Sequence, residues 1–254
     1  MKIATYNVNG IRSALSKGLL DWLTASNPDV LCVQEIKSAE DQISADAFAE
    51  LGYEAFAFPA EKKGYSGVAF FSKVKPDRVI KGMNMPRYDS EGRSIRLDVG
   101  DLTIVNTYFP SGSSGDDRQA FKMEFLADYQ QYINGLKQER PNLIICGDYN
   151  ICHRPIDIHN PVSNKNSSGF LPEERDWMEQ FLNSGFVDSF RHLNAEPNHY
   201  TWWSFRAGAR SKNLGWRIDY ICLTDNLSNH LVSSRILPDA RHSDHCPVIT
   251  ELKI

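Results

Sequence analysis

The chain has 254 residues and a formal net charge of −4, with 41% hydrophobic and 24% charged residues. These proportions are typical of a globular domain and argue against a disordered or fibrous chain. The charge shows no global basic field, although a local basic patch could still bind phosphates. No apolar run is long enough to cross a bilayer, and the first residues lack a signal-peptide core. We therefore expect a cytoplasmic protein with no membrane partner.

The cysteines predict neither a disulfide framework nor a zinc site. There are five, an odd number, and none forms a CxxC pair: Cys32, Cys146, Cys152, Cys222 and Cys246. Three of them lie inside apolar runs, where cysteine behaves as a small core residue. This usage is typical of a reducing compartment.

Short apolar runs rich in β-branched residues alternate with helix-period segments. The predicted strands are Lys2–Val8, Asp29–Gln34, Gly67–Ser72, Ser94–Val99, Leu102–Tyr108, Asn142–Cys146, Arg217–Leu223 and Pro247–Leu252. The predicted helices are Leu15–Ser26, Asp41–Leu51, Asp116–Lys137 and Pro172–Ser184. The last of these opens with proline and two glutamates, which is a helix-start signal, and Gly185 ends it.

The order of these elements predicts one α/β (α+β) domain over residues 1–254. No linker rich in Pro, Gly or Ser divides the chain, and strands and helices mix throughout. Gly100 and Asp101 connect two predicted strands as a hairpin, so the sheets are not all parallel. We therefore predict a mixed α/β sandwich, and in the absence of coiled-coil heptads we expect a monomer.

Asp219 lies inside a predicted buried strand, and His245 lies close to the end of the chain. A buried carboxylate is costly unless it has a partner. An aspartate that orients an imidazole recurs in hydrolytic acid–base chemistry. The pair indicates a hydrolase.

Further polar side chains follow the ends of predicted strands, where a rigid scaffold holds functional groups beside open loops. Each residue on its own is more often a turn former or a solvated charge. As a set they supply hard oxygen ligands, which suit Mg²⁺ or Mn²⁺ better than zinc. The carboxylates are Glu35, Asp148 and Asp244, the amides are Asn7, Asn9 and Asn150, and His245 is a further candidate ligand.

A divalent cation beside an Asp–His pair fits phosphoester hydrolysis, in which carboxylate or imidazole prepares the attacking water. Asn150 and Tyr108 can donate hydrogen bonds to charge that develops on the phosphoryl oxygens. Peptidase or glycosidase chemistry accounts less well for the amides and the tyrosine. The sequence thus favours metal-assisted cleavage of a phosphoester.

The motifs, taken in order, resemble the exonuclease III family of apurinic/apyrimidinic (AP) endonucleases, within the endonuclease/exonuclease/phosphatase superfamily. The matching stretches are TYNVNGIRS, LCVQEIK, NTYFPSG, ICGDYNI, NPVSNKNSSGFLPEER, ARSKNLGWRIDYICL and HSDHCPV, which cover almost the whole chain. GDYN and SDH identify only the superfamily, whereas ARSKNLGWRIDY and NKNSSGF–PEER are more specific to DNA repair. The resemblance implies a four-layer α/β sandwich in which helices flank two packed mixed β-sheets.

The resemblance also implies a role for each matching residue in incision of double-stranded DNA 5′ to abasic sites, with 3′→5′ exonuclease and 3′-end trimming activities. Glu35 would be the principal metal ligand, near Asn7, Asn9 and Asp244. Asp148 would position or deprotonate water, Asn150 would stabilise the transition state and Tyr108 would contact the scissile phosphate. Asp219 would orient His245, which acts as base or phosphate ligand. The identity of the base and the number of metals stay open.

Two positions depart from relatives of this family. Asn9 stands where many have aspartate, which removes a possible anionic ligand. Trp202 stands where larger animal relatives have phenylalanine. With Trp216 and Ile218 it would line a pocket for a flipped-out abasic sugar, although core packing is an equally good reading of the tryptophans.

Basic and amide residues near the same loops are candidate phosphate contacts, which position a protein on DNA without reading sequence. Scattered charges are more often just a solvated surface. The candidates are Arg210, Lys212, Arg217, Arg118, Arg12, Lys17, Lys37, Lys62, Lys63, Lys165, Asn160, Asn164 and Asn166.

Two alternatives remain. A same-fold enzyme could act on RNA, a phosphoinositide or sphingomyelin, which the GWRIDY motif and its basic neighbours disfavour. A catalytically inert nucleic-acid-binding relative should have lost the catalytic set, and that set is complete here. A structural protein would leave so many acidic and amide groups unexplained.

Overall fold

The computed structural model describes residues 1–254. Its strands are β1 (Lys2–Asn7), β2 (Val30–Gln34), β3 (Glu54–Phe58), β4 (Val68–Ser72), β5 (Arg78–Lys81), β6 (Ser94–Val99), β7 (Leu102–Tyr108), β8 (Asn142–Asp148), β9 (Phe186–Asp188), β10 (Trp202–Trp203), β11 (Gly215–Trp216), β12 (Asp219–Thr224), β13 (Leu231–Ile236) and β14 (Val248–Leu252). Its helices are α1 (Ile11–Ser16), α2 (Leu19–Ser26), α3 (Ala45–Ala49), α4 (Pro86–Asp89), α5 (Asp116–Glu139), α6 (Pro172–Asn183) and α7 (Ser189–Leu193). Short 3₁₀ turns join several of these elements.

Twelve strands form two six-stranded mixed sheets. The first has the order β13-β14-β1-β2-β4-β3 and the second β5-β6-β7-β8-β12-β9, while β10 and β11 form a separate ribbon. The predicted hairpin is present as the antiparallel pair β6–β7. The predicted sandwich of two packed mixed sheets is confirmed. No helix is long and apolar enough to span a membrane.

Three apolar layers hold the sandwich together. Between the sheets, Phe70 of β4 belongs to one buried cluster with Ile104 and Ile144 of the second sheet. A second cluster joins the first sheet to α1, α2 and α3, and a third joins the second sheet to α4, α5 and α6. Each sheet buries one face against the other sheet and the opposite face against helices, which accounts for the β-branched apolar runs in the sequence.

Several predicted element boundaries are wrong. The helix predicted over Leu15–Ser26 is two helices, because Gly18 adopts φ 87° and turns the chain between them. The helix predicted over Asp41–Leu51 is a 3₁₀ turn followed by the short α3. The strand predicted from Arg217 begins two residues later, where Asp219 pairs with Asp148.

The strands that the sequence did not predict are mostly at edges or very short. β3, β5, β9 and β13 complete the sheet edges, and β10 and β11 have two residues each. Edge strands bury less of each side chain, so their alternation of apolar and polar residues is weak.

The centre of each sheet contains a parallel pair, β1–β2 in one and β7–β8 in the other. β7 and β8 run so close at Gly147 that an added Cβ would lie 1.8 Å from the Thr107 carbonyl oxygen. The carboxyl ends of these four strands and the first residues of β12 and β14 meet at one end of the sandwich. This end carries the polar motifs of the sequence.

Candidate active site

An open cavity of about 350 Å³ lies at this end of the sandwich. Most of the predicted site residues line it: Glu35, Tyr108, Asp148, Asn150, Trp202, Trp216, Ile218, Asp244 and His245. Four further lining residues were not predicted: Ser111, Ser113, Ser168 and Gly169. They are small loop residues; Ser111, Ser168 and Gly169 lie within the matching stretches NTYFPSG and NKNSSGF, which were the signal that could have identified them.

Asn7 connects the two sheets at the base of the cavity. Its side-chain amide donates to Glu35 Oε1 at 2.7 Å and to Asp148 Oδ2 at 2.8 Å. Its own oxygen accepts from the backbone N–H of Asn9 at 3.0 Å. Asn7 therefore holds two carboxylates from different sheets at a fixed separation.

Ligand atoms of Glu35, Asp148 and His245 lie within 4.8 Å of one another. The two carboxylates supply hard oxygen donors that fit a small divalent cation. Asn7 and Asn150 lie next to these groups. The backbone N–H of Asn150 donates to Asp148 Oδ1 at 2.9 Å, so it supports the carboxylate and is not itself a metal ligand. The donor chemistry therefore centres on Glu35 and Asp148.

Asn9 and Asp244 lie one step away from this cluster. Asn9 Nδ2 donates to Asp244 Oδ1 at 2.9 Å, and Trp202 Nε1 donates to Asp244 Oδ2 at 3.0 Å. Lys37 Nζ lies 2.5 Å from Asn9 Oδ1 and 2.7 Å from Glu35 Oε2. A continuous polar chain thus links Glu35 to the indole of Trp202.

The predicted Asp219–His245 pair is present. His245 Nδ1 lies 2.9 Å from Asp219 Oδ2, and His245 Nε2 lies 3.8 Å from Asp148 Oδ2. Burial alone would lower the pKa of His245, but the charges of Asp219 and Asp148 raise it to about 10. Burial and the Asp219 charge raise the pKa of Asp148 to about 7. The imidazole is therefore cationic at neutral pH and faces the cavity through Nε2.

Tyr108 and Asn150 line the second-sheet side of the cavity. Burial and the charges of Glu35 and Asp148 hold the pKa of the Tyr108 phenol well above its usual value, so it stays a hydrogen-bond donor. The Asn150 amide donates to the Phe109 carbonyl at 2.9 Å. The same nitrogen lies 3.5 Å from Asp148 Oδ2, so its second N–H makes only this long contact and can serve a ligand.

The tryptophans divide between cavity wall and core. Trp202 and Trp216 are half-buried, meet edge to face with ring centroids 6.0 Å apart, and pack with Ile218 against a small buried cluster. Trp203 is only 3% exposed and belongs to the core. Trp202 and Trp216 therefore line the cavity, whereas core packing accounts for Trp203.

Three arginines that were predicted as phosphate contacts have other partners. Arg217 is 1% exposed and pairs with Asp157 at 2.7 Å and Asp188 at 2.8 Å, so its predicted phosphate contact is wrong. The guanidinium groups of Arg210 and Arg118 are also engaged. Arg210 donates to three backbone carbonyls of the segment 238–243, and Arg118 binds Glu91 and the Tyr65 hydroxyl.

The remaining candidates lie at the surface. Lys212 is exposed, and the Asn164 amide donates to the carbonyls of His159 and Asn160 and so shapes its own loop. A groove of about 510 Å³ adjoins the first-sheet side; its cationic lining residues are Arg12, Lys37, Lys62 and Lys63, which outnumber its two carboxylates, Asp41 and Glu61.

Similarity to known proteins agrees with this geometry. The model of the endonuclease/exonuclease/phosphatase family matches residues 4–245. The chain is 40% identical to the DNA repair nuclease APEX1 of Danio rerio, over 100% of this chain and 83% of that protein. It is also 40% identical to the exodeoxyribonuclease of Bacillus subtilis, over 98% of both chains.

Solved structures agree. An AP endonuclease from Archaeoglobus fulgidus superposes with a TM-score of 0.93 at 32% identity, and a 3′-5′ exonuclease from Neisseria meningitidis with a TM-score of 0.94 at 28% identity. Each of these comparisons covers the whole of both chains. The chain is therefore a nuclease of the endonuclease/exonuclease/phosphatase family, in the branch formed by the exodeoxyribonucleases and AP endonucleases.

Proposed function

We propose that this enzyme hydrolyses the phosphodiester bond 5′ to an abasic site in double-stranded DNA, and that it also trims 3′ ends as a 3′→5′ exonuclease. One observation carries the proposal. His245, which Asp219 orients, and the apolar wall made by Trp202, Trp216 and Ile218 line the same cavity. A phosphate beside His245 would therefore place the adjoining sugar against that wall.

Members of this family depend on a divalent metal, and an acidic cluster that can bind one is present. We propose Mg²⁺, with Mn²⁺ as a substitute, because carboxylate and amide oxygens are hard ligands. Glu35 and Asp148 would hold it. When bound, the ion neutralises charge on the phosphate and on the leaving oxygen.

Asp148 is the proposed base for the attacking water. Without the metal, burial and the Asp219 charge raise the pKa of Asp148 to about 7; a bound cation would lower it and keep the carboxylate ionised and able to accept a proton. Hydrogen bonds from the Asn7 amide and the Asn150 backbone fix both of its oxygens. A fixed carboxylate can hold a water in line with the phosphorus without reorganising during the reaction.

His245, Asn150 and Tyr108 are the proposed donors to the phosphate. The imidazolium presents Nε2 to the cavity while Asp219 holds Nδ1, and charge-assisted donors are the stronger ones. The free N–H of Asn150 and the phenol of Tyr108 add neutral donors. Preorganised donors aimed at the developing charge stabilise the transition state more than the ground state.

The apolar wall is the proposed selector of substrate. An abasic nucleotide is a compact sugar, and extruding it breaks no base pair. Packing of Trp202 edge-to-face on Trp216 leaves no slot between the rings for an intact base. An apolar wall of this kind suits a sugar without its base and disfavours a complete nucleotide.

The basic groove formed by Arg12, Lys37, Lys62 and Lys63 is the proposed track for the DNA backbone beyond the cavity. The five free cysteines, all buried, fit a reducing compartment, and we propose action as a cytoplasmic monomer.

A duplex with one abasic analogue tests the function. We expect incision 5′ to the lesion with Mg²⁺, and loss of incision with EDTA or in His245→Ala. Matched arms with intact duplex DNA, RNA and a phosphoinositide measure selectivity. Equal turnover of RNA or phosphoinositide, or binding without incision, would contradict the proposal.

A further inference from the structure

Lys122 and Glu174 form an ion pair outside the cavity. Lys122 Nζ lies 2.6 Å from Glu174 Oε1, and both side chains are 0% exposed. Burying two charges costs several kcal/mol per ion, and their attraction repays this only when further hydrogen bonds complete the site. The hydrogen bonds that complete this ion pair therefore show which parts of the structure it supports.

Gln119 of α5 also donates to Glu174 Oε1, at 3.1 Å, and the other hydrogen bonds of the pair go to two segments that border the cavity. Lys122 Nζ donates to the backbone carbonyl of Asn150 at 2.8 Å. Glu174 Oε2 accepts from the backbone N–H of Gly169 at 2.6 Å and from that of Leu171 at 3.0 Å. The pair thus ties α5 and the start of α6 to the catalytic loop after β8.

The backbone at Asn150 needs such support. Asn150 adopts φ 53°, a left-handed conformation, and its side-chain amide donates to the Phe109 carbonyl at 2.9 Å but only at 3.5 Å to Asp148 Oδ2 in its own turn. The Lys122 ammonium, from α5, is the hydrogen-bond donor to the carbonyl oxygen of Asn150. A shift at this carbonyl would move both the free Asn150 N–H and the backbone donor to Asp148.

Gly169 transmits the same constraint to the apolar wall. A Cβ at Gly169 would lie 3.0 Å from the Trp216 ring and 3.1 Å from the Asn150 carbonyl oxygen, so the three groups are in close contact. Glu174 holds the Gly169 N–H. Wall and catalytic loop therefore share one buried support.

We propose that Lys122 and Glu174 are positioning residues for phosphodiester cleavage, which hold Asn150 and the Gly169–Trp216 contact in their working positions. The inference rests on the proposed function, in which Asn150 donates to the phosphate. An apolar pair could fill the same space, but it would leave the Asn150 carbonyl and the Gly169 N–H without partners.

Lys122→Met is the principal test, measured as single-site incision of the abasic duplex. We expect kcat to fall about 10- to 100-fold with little change in KM, because small displacements of catalytic groups are costly. Lys122→Arg should restore most of the loss, since it keeps the charge and the donors. In an Asn150→Ala background, Lys122→Met should add little further loss.

Lys137→Met is the matched control. Lys137 lies on the same helix, and its ammonium also donates to a backbone carbonyl, that of Ser184, away from the cavity. We expect it to change stability without changing kcat. Urea unfolding of every variant separates stability from activity.

Additive losses in Lys122→Met/Asn150→Ala, or an unchanged kcat in folded Lys122→Met, would overturn the proposal. If Lys122→Met does not fold, Glu174→Gln decides. This change keeps an acceptor for Gly169 while removing the charge on Lys122's partner, and a kcat unchanged from wild type would overturn the proposal. Failure of the wild-type enzyme to cut the duplex would instead refute the proposed function.

Discussion

Three site residues other than glycine occupy the left-handed region of backbone conformation: Asn9 at φ 46°, Glu35 at φ 52° and Asn150 at φ 53°. Asparagine tolerates this region, but for glutamate it is uncommon. Such conformations persist at functional sites where the surroundings impose them. At Glu35 the backbone carbonyl accepts from Gly10 N–H at 2.8 Å, which helps to aim the carboxylate into the cavity.

Asp219→Asn tests the catalytic pair at this scale. The amide keeps the shape but loses the charge that holds His245 cationic and correctly oriented. We expect kcat to fall about 10²- to 10⁴-fold, the usual contribution of a positioned acid–base group, with KM little changed. Steady-state incision of the abasic duplex measures it. Asp225→Asn, at an exposed position, is the control, and comparable losses in both variants would argue against the assignment.

Trp202→Phe tests the polar chain that reaches the wall. Phenylalanine keeps an aromatic ring but lacks the indole N–H that donates to Asp244 at 3.0 Å. Loss of a hydrogen bond to a charged group should lower the preference for abasic over intact DNA about 10-fold, as a ratio of kcat/KM values. Trp202→Ala should lower it further. Unchanged selectivity in Trp202→Ala would contradict the proposal that the apolar wall selects the abasic substrate.

At the scale of elements, a buried cluster around Arg217 fixes the entry to β12. The guanidinium pairs with Asp157 in the 3₁₀ turn after β8 and with Asp188 at the end of β9. Arg191 of α7 also pairs with Asp157, at 2.8 Å. Because Asp219 comes two residues after Arg217, this cluster determines where the catalytic strand begins.

Asp157→Asn tests that cluster through stability. Burial alone would raise the pKa of Asp157, but Arg217 and Arg191 lower it. The stabilisation from a depressed pKa is fully present above the unfolded value of about 3.9 and is lost as the pH falls below it. We expect Asp157→Asn to cost about 3–5 kcal/mol at pH 7, because it removes the carboxylate that two arginines share and leaves only Arg217 with another, Asp188.

Urea unfolding between pH 7 and pH 3 measures this prediction. The difference in free energy of unfolding between wild type and variant should be constant down to about pH 4 and should decrease below that pH. Asp176→Asn, at an exposed helix position, should show no gap at pH 7. A gap that widens on acidification would contradict the assigned direction of the Asp157 pKa shift.

The central strands and most of the polar residues that line the cavity could be predicted from sequence because local signals determine them. Buried parallel strands produce continuous apolar runs, and polar motifs follow directly at their ends. Gly18 shows the limit, since the periodicity of Leu15–Ser26 continues across a residue whose φ of 87° breaks the helix. The edge strand β13 is half-exposed and has no such pattern.

Side-chain partners account for the other errors. Arg217 was predicted to contact phosphate because it adjoins Trp216 and follows the basic residues Arg210 and Lys212, whereas its carboxylate partners lie far along the chain at positions 157 and 188. Glu174 looked like an ordinary first-turn glutamate of α6. Only the tertiary fold shows that Lys122, 52 residues earlier, is its partner.

At the scale of the molecule, the net charge of −4 is unevenly distributed. Acidic and basic groups are interspersed, but Arg12, Lys62 and Lys63 are exposed together beside the cavity, along the groove that also includes Lys37. A protein that is acidic overall can therefore attract a polyanion at one face. Local fields of this kind steer association even when the whole molecule repels the ligand.

The salt dependence of DNA binding tests this distribution. If four phosphates are contacted, the affinity for duplex DNA should fall about 100-fold between 50 and 200 mM salt. Lys62→Ala/Lys63→Ala should reduce the slope of log K against log salt by about two. Fluorescence anisotropy with EDTA present measures binding without cleavage. Lys75→Ala, beyond the far end of β4, should leave the slope unchanged, and a flat salt response would point to a small-molecule substrate.

The amide of Asn7 has a consequence for how the enzyme fails. Since it bonds to a carboxylate from each sheet, neither sheet alone contains all the residues of the candidate active site. Incision therefore reports the alignment of the two sheets, and it should disappear at urea concentrations that loosen their contact before circular dichroism registers unfolding. Coincident loss of both signals would mean that the sheets separate only in global unfolding. In this nuclease, a shift of one sheet against the other would abolish incision before the chain unfolds.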